Sequence, residues 1–469
     1  MPVRMSSAHT AFENVPSAGA ARPDARLALL DQAFCAGHRV AGQKEVMQVG
    51  WLYQHAIDLD AVERFHHNLA HGLLGRRIER SPLPFARYRW VADPRPLDID
   101  IATCARPRAE LGDWFDERAQ LPIDPESGPA WRLSILPLTD GSTGITFVIS
   151  HYVLDGIGSV IAIAEAIMGV QRDVGYPPPR SRTRLRAVLQ DAGETVRAAP
   201  DVARAIVAAA RNARRARHDI VRSRAPRPIA PSGGDWDDPV AVPGLWIHID
   251  MAAWDARAKA LGGTDGTLGA ALTAKLAERM GRRNGDDGTV VMQLLMSDRT
   301  EGDTRAVAVA FPRVRIDPTG VTSDLQDARA AIKQALKAHQ ETPDEASQVA
   351  PLAPFTPKRT WKRVMDRAIE DPDHPVVFSN LGDVGDIVTC LDGTRCEYGY
   401  ARGTSQHLTR RWLERTGGKL QLLYFRMPGL GKVSISLLAY QLGAENTKSA
   451  LRELVVRTLA EFDLAGEID

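Results

Sequence analysis

The sequence predicts an α/β protein of two halves joined by a basic helical segment, and three observations predict it. From Arg26 to about Gly175, strand-like runs alternate with helix-like ones. A second alternating series starts near residue 245 and continues to the C-terminus. Between them, residues 180–227 hold thirteen Arg, no Lys and only four acidic residues, with apolar residues at helical spacing. A chain of 469 residues has room for two domains of about 200 or three of about 150.

Along the chain, residues 1–24 are rich in Ala, Pro and Ser and read as a disordered arm. The first half is expected over 25–179. EVMQVGWLYQHAI reads as a buried strand. DLDAVERFHHNLAHGLL follows as a helix capped by Asp58, with Leu59, Val62, Leu69 and Leu73 on its apolar side. AWRLSILPL and GITFVIS form a hairpin about a turn at Asp140-Gly141. The loop HYVLDGIGS and a helical run, VIAIAEAIMGV, come next. Pro177-Pro178-Pro179 stops this half, and 180–244 is a basic helical linker. Val202, Ile206, Ala209, Ala213 and Ile220 mark its apolar stripe. The second half, 245–469, begins with the strand GLWIHIDM and the helix TLGAALTAKLAERM, capped at Thr267. TVVMQLLMSD and TRAVAVAFPRVRI read as strands and DLQDARAAIKQALKAHQ as a helix. VVFSNLGDVG, KLQLLYFRMP and KVSISLLAY are further strands before a terminal helix.

Composition removes several function classes. Hydrophobic residues make up 44% and charged residues 25%, ordinary globular values with enough apolar mass for a large core. A net charge of +1 and only 6% aromatics argue against a nucleic-acid surface spread over the chain. The four cysteines form no CxxC pair and read as free thiols of a reducing compartment. The N-terminus has no apolar stretch of the secretory kind, and Glu165 interrupts the best apolar run, so a soluble, cytoplasmic protein is expected. The local +9 of 180–227 contrasts with 46 basic against 54 acidic residues elsewhere. Such a segment is either a solvated helix between domains or a contact for anionic lipid or a donor's phosphates.

Most catalytic motifs fail on inspection. Gly156-x-Gly158 is followed by Ile161 where a dinucleotide loop needs its third Gly. Gly431-Lys432 lacks the remaining residues of a phosphate loop, and no GxSxG elbow is present. His67 and His71 have zinc-pair spacing on one helix, but no third ligand is near, and a surface pair is the better reading. The loop Ser150-His151-Tyr152-Val153-Leu154-Asp155-Gly156 survives. An imidazole has an ordinary pKa near 6.5 and takes a proton at neutral pH. Asp155 can contact that imidazole or anchor the loop to a distant Arg, and Gly156 permits a sharp turn.

That loop resembles the HHxxxDG motif of the CoA- and carrier-dependent acyltransferases and peptide-synthetase condensation domains. LPIDPESGPAWRLSIL (121–136) is similar to the family's approach to the motif. LLDQAF (29–34) resembles the N-terminal signature of bacterial wax ester synthase/diacylglycerol acyltransferases. TDGTLGAALTAKLAERM (264–280) is similar to a helix of those enzymes, with Gly269 where Asn is usual. SDRTEGDTRAVAV (297–309) and VVFSNLGDVG (376–385) resemble the Arg strand and the Ser-Asn segment of the second half. The pieces run in the family's order over most of 25–469.

The resemblance implies two chloramphenicol-acetyltransferase-like halves side by side, with a tunnel between them. It implies His151 as the catalytic base, Asp155 and Gly156 as loop-structuring residues, and Arg299 as the partner of Asp155. Ser150 stands where the family has its first His; it, Ser379 and Asn380 are expected near the tunnel. Asp303-Thr304 departs from the expected Gly-Asn, and the Pro-Gly after Ser-Asn is incomplete. The implied reaction moves an acyl group from a CoA or carrier thioester to an alcohol, in lipid-like ester synthesis. The thioester is a co-substrate, so neither a further cofactor nor a metal is implied. The partners implied are an acyl-CoA or acyl-carrier protein donor and an alcohol or amine acceptor. Residues 180–227 add an anionic membrane surface, peripheral to the inner face, and nucleic acid is not a partner. The alternatives are a stand-alone condensation enzyme forming an ester or amide, and a non-catalytic acyl or lipid binder.

Overall fold

The computed structural model describes residues 24–93, 97–220, 238–284, 287–341, 345–369, 371 and 373–469. The arm expected over 1–24 lies outside the described residues apart from Asp24, as does 221–237 of the linker.

The chain opens with α1 (Leu29–Val40), β1 (Lys44–Tyr53) and α2 (Leu59–Leu69). Three short strands follow: β2 (Arg76–Glu79), β3 (Arg89–Ala92) and β4 (Asp100–Ile101). Next come α3 (Leu111–Ala119), the hairpin of β5 (Trp131–Pro137) and β6 (Thr143–Ser150), and α4 (Gly156–Ile167). The linker is two helices, α5 (Arg184–Arg197) and α6 (Ala199–Ile220). The second series starts with β7 (Gly244–Asp250), α7 (Met251–Ala260), α8 (Asp265–Arg279) and β8 (Val290–Ser297). It continues with β9 (Val309–Ala310), β10 (Arg313–Ile316), α9 (Gln326–Glu341), α10 (Glu345–Val349) and α11 (Lys358–Ile369). β11 (Val376–Asp383), β12 (Tyr398–Gln406), α12 (Arg410–Arg415) and β13 (Lys419–Met427) come next. β14 (Lys432–Tyr440), α13 (Lys448–Glu461) and β15 (Glu467–Ile468) finish the chain.

Two sheets organise these elements. The first has the order β12-β1-β6-β5-β4, the second β10-β8-β11-β13-β14-β7-β15 with β9 on β8. In the second, β8, β11 and β13 run parallel, with Val377 opposite Gln421 and Gln293. Each sheet buries its own core. Ile247, Leu268, Leu422 and Val455 represent the second, and Trp51, Phe65, Phe147 and Ile163 the first.

Local chemistry explains where elements start. Asp58 caps α2, its carboxylate accepting the Ala61 N–H at 3.2 Å. The buried stripe of α2 is Val62, Phe65, His66 and Leu69; Leu59 is exposed, and Leu73 falls in a separate turn beyond the helix end. The β5–β6 hairpin turns at Asp140-Gly141, where Gly141 takes a positive φ of 85°. α8 is capped by Thr264 rather than Thr267: the Thr264 hydroxyl accepts the Thr267 N–H, and the helix gains a turn. α4 likewise starts earlier than the apolar run, at Gly156, with Asp155 as its cap.

Three expectations need larger correction. The strand read over 304–316 is broken, and only β9 and β10 are strands. The N–H groups of Ala306 and Val307 go to the Asp31 carboxylate, and that of Ala308 to Asp155, so no ladder forms there. Among the described side chains of α6 the buried residues are Ala205 and Ala208, while Ile206 of the expected stripe is 57% exposed; Ala213 and Ile220 lie outside the described side chains. Finally, β12 falls within the second half of the chain yet pairs antiparallel with β1 of the first, Glu45 opposite Ser405. Its residues GYARGTSQ show no apolar alternation, because the buried Arg402, Ser405 and Gln406 are polar and hydrogen-bonded. Arg402 donates to Gln48 at 2.8 Å and to Asp116 at 2.6 Å.

Candidate active site

The loop between β6 and α4 is held from three sides. Asp155, 1% exposed, accepts the Gly158 N–H at 2.8 Å through one carboxylate oxygen as the α4 cap. Its other oxygen accepts from Arg299 Nη2 at 2.6 Å and from the Ala308 N–H at 2.7 Å. Arg299 is itself buried and also donates to the Asp303, Arg305 and Ala306 carbonyls, which wraps the 297–308 segment onto the head of α4. The second side is Arg76, whose guanidinium stacks on Trp90 with its carbon 3.9 Å from the ring centre. It donates to the Val153 and Thr304 carbonyls. The third is Asp31, a buried carboxylate holding the two N–H groups of Ala306 and Val307. Burial pushes Asp31 above the usual carboxylate range, with those N–H groups and the nearby Arg76 and Arg299 acting against it.

Gly156 sits where the loop meets β11. A Cβ there would come within 2.9 Å of a Leu381 methyl, so a larger residue would displace the Leu381 side chain.

His151 projects from this braced loop. Its backbone N–H donates to the Glu45 carbonyl at 3.0 Å, and its ring lies 5.4 Å from that of Phe34. Nδ1 is buried and makes no hydrogen bond to another residue. Burial lowers the pKa of the imidazole, opposed more weakly by its own backbone, Asp155 and Glu45. At neutral pH the ring is therefore neutral and able to accept a proton.

A cavity of about 450 Å³ lies between the two sheets, and His151, Asp155 and Gly156 line it. So do Ser379 and Asn380 of β11, from the opposite sheet. Asn380 uses its side-chain oxygen to accept the Gly382 N–H at 2.8 Å. Ser150 does not line the cavity: it is buried, and its hydroxyl accepts the Tyr152 N–H at 3.4 Å within the loop. Arg299 stands behind Asp155, away from the lining.

Several lining residues carry no motif and escape sequence reasoning. Glu45 comes from β1, with its carboxylate accepting from Ser405 Oγ at 2.6 Å. Arg282 and His374 come from loops, Trp412 from α12 and Lys419 from the start of β13. Asp31 and Phe34 had a signal in LLDQAF, since a charged residue before an aromatic in an otherwise apolar turn needs a buried partner. Among the described residues, no group of three or more His, Cys, Asp or Glu is arranged to hold a metal ion. Of the spaced pair, His67 lies in the last turn of α2 and His71 just past its end, where the His71 ring meets the His67 carbonyl.

No family model matches the chain, and no curated protein matches it. Solved structures do. The first condensation domain of the CDA synthetase is 13% identical, covering 95% of this chain and 99% of that one, with a TM-score of 0.53. The wax ester synthase/diacylglycerol acyltransferase from Marinobacter aquaeolei VT8 is 14% identical over 93% and 98%, with a TM-score of 0.51. Polyketide synthase associated protein 5 from Mycobacterium tuberculosis is 15% identical over 93% and 98%, with a TM-score of 0.53. These likenesses span whole chains on both sides. The protein thus has the condensation-type acyltransferase fold, two chloramphenicol-acetyltransferase-like halves with a divergent sequence laid over them.

Proposed function

We propose that the protein is an acyltransferase that moves an acyl group from a CoA or carrier thioester to an alcohol, with His151 as general base. The observation that carries this reading is the neutral imidazole of His151, on a rigidly braced loop, facing a cavity between the two halves. With Nδ1 enclosed, Nε2 is the ring nitrogen left for substrate. It takes the hydroxyl proton as the oxygen attacks the thioester carbonyl. The C–S bond then breaks, and the imidazolium returns the proton to the departing thiolate. General-base assistance of this kind contributes about 10²–10⁴-fold. Asp155 and Arg299 act by holding the loop, and Ser379 and Asn380 by shaping the opposite wall.

The similar structures divide between a wax ester synthase and a synthetase condensation domain. An alcohol acceptor and a lipid-like ester are favoured because LLDQAF and the 264–280 helix lean toward the ester-forming relatives. Membrane contact through 180–227 belongs to the same proposal. Leu185, Leu189 and Val196 of α5 are 66–73% exposed beside Arg184, Arg186 and Arg197, an arrangement suited to an anionic interface.

Release of thiol from a panel of acyl-CoAs, with and without long-chain alcohols, tests the reaction. Wild type is expected to release thiol in an alcohol-dependent manner, and His151→Ala to lose at least about 100-fold in turnover while staying folded. A folded His151→Ala variant with near wild-type turnover removes the base assignment.

A further inference from the structure

In the same cavity, on the side formed by the second half of the chain, donor groups gather that lack acceptors among the described residues. The Arg282 guanidinium uses one nitrogen, Nη2, on the His374 carbonyl at 3.1 Å. Its Nε and Nη1 are buried without a hydrogen-bond partner among the described residues. No carboxylate among those residues pairs with it either. The neighbouring Asp371 and Asp373 are occupied by Arg313 at 2.6 Å and Arg315 at 3.2 Å. Lys419, at the head of β13, likewise makes no hydrogen bond or ion pair among the described residues. Its nearest acidic influence, Glu45, is bonded to Ser405. Trp412 Nε1 is a further buried donor without an acceptor.

Arg282, His374, Trp412 and Lys419 line the same cavity, together with Asp371 and Glu45. His374 links them, since it packs against Gly417 as well as accepting from Arg282. Arg282, Lys419 and Trp412 offer donors only, so what the cluster lacks is an acceptor with negative charge. An enclosed guanidinium with no carboxylate paired to it among the described residues is costly to keep; burial lowers the pKa of Arg282 and of Lys419, opposed at Lys419 by the charge of Glu45. Such groups belong to sites that a ligand completes.

We propose that Arg282 and Lys419 dock an oxyanion, a carboxylate or phosphate, carried by one of the two substrates in the cavity that His151 lines. The planar fork of Arg282 suits two oxygens of one such group, and Lys419 adds a point charge. The proposal rests on reading the cavity as the substrate channel. Parallel pairing puts Ser379 level with Leu423. Lys419 therefore lies four residues, about 13 Å, along the strand from the level of Ser379. An extended chain of about ten bonds, at ~1.2 Å per bond, spans that distance.

Isothermal titration of the whole protein with 6-, 10- and 16-hydroxy fatty acids, their methyl esters, and decyl phosphate tests this. At one chain length at least, a charged probe is expected to bind wild type at least about tenfold tighter than its neutral counterpart. Arg282→Gln should erase that preference and Lys419→Met should reduce it. A stronger preference for the carboxylate assigns the anion to the acceptor, and for the phosphate to the donor's arm. Equal binding of charged and neutral probes, or a preference that survives both substitutions, overturns the proposal. Arg282→Gln should also leave Tm unchanged or raised, because it removes an unpaired buried charge. A lowered Tm, or failure to fold, shows that Arg282 serves the fold and likewise overturns it. Binding is read without turnover, so the two proposals fail separately. A retained preference without thiol release removes the reaction and leaves the subsite.

Discussion

His151 titrates in an enclosed place, and the direction of its shift fixes a pH signature. Burial disfavours the imidazolium, so the folded pKa lies below the ordinary 6.5. Turnover should fall toward acid with its midpoint below 6.5, and a pH–rate profile of thiol release with a limb at or above that value speaks against His151 as the base. The same shift makes a contribution to stability that is complete above the unfolded pKa and is lost as pH falls through the folded one. Asp155 answers to a different measurement. Asp155→Asn keeps the side-chain shape but leaves Arg299 as an uncompensated buried charge, which typically costs about 3–5 kcal/mol. Urea denaturation should show that loss together with lower activity; full stability with abolished chemistry would instead give Asp155 a direct part in the reaction. At this scale the HxxxDG loop was legible because its residue types and spacing are local. Arg282 and Lys419 were not, since an orphaned donor is defined by what does not surround it, and neighbours distant in sequence decide that.

Helices and the apolar strands follow from periodicity and capping, which is why β1, the β5–β6 hairpin, β11, β13 and β14 agree with the pattern. The failures have a common cause. β12 and the 304–308 segment take their order from polar bonds to distant residues, and hydropathy carries no trace of those. Asp31→Ala tests this for 304–308: it frees the two N–H groups of Ala306 and Val307, so faster amide hydrogen exchange is expected there, with β5 and β6 unaffected. Unchanged exchange would mean that Arg299 alone holds the segment. The surface of α5 and α6 has its own test. Leu185→Ser with Leu189→Ser, or Arg211→Glu with Arg214→Glu, should reduce sedimentation with anionic vesicles, while turnover of a short acyl-CoA stays intact. If wild type ignores such vesicles at low salt, the segment is a solvated spacer.

Across the molecule, the halves are interleaved. β12 joins β1, and Phe115, Trp246 and Tyr400 form one aromatic cluster from both halves, with ring centres 5.3–5.5 Å apart. Equilibrium unfolding should therefore follow one transition seen alike by tryptophan fluorescence and circular dichroism. Two separated transitions would show that the sheets are stable independently. The alternating pattern made the pair of sheets legible, but not their exchange of a strand, because nothing in either stretch of sequence names its partner.

That exchange has a consequence for how the chain is made. Glu45 and Ser405, joined by a hydrogen bond in the finished protein, are 360 residues apart in sequence. While the ribosome is still synthesising the intervening chain, β1 has β6 on one side and an open edge on the other. An open strand edge in a nascent chain invites pairing with other chains. The polar, arginine-bearing character of β12 and its long delay together place the closure of this edge after residue 406 has been made. Slowing synthesis before residue 406 should then raise aggregation of the nascent chain more than slowing it afterwards.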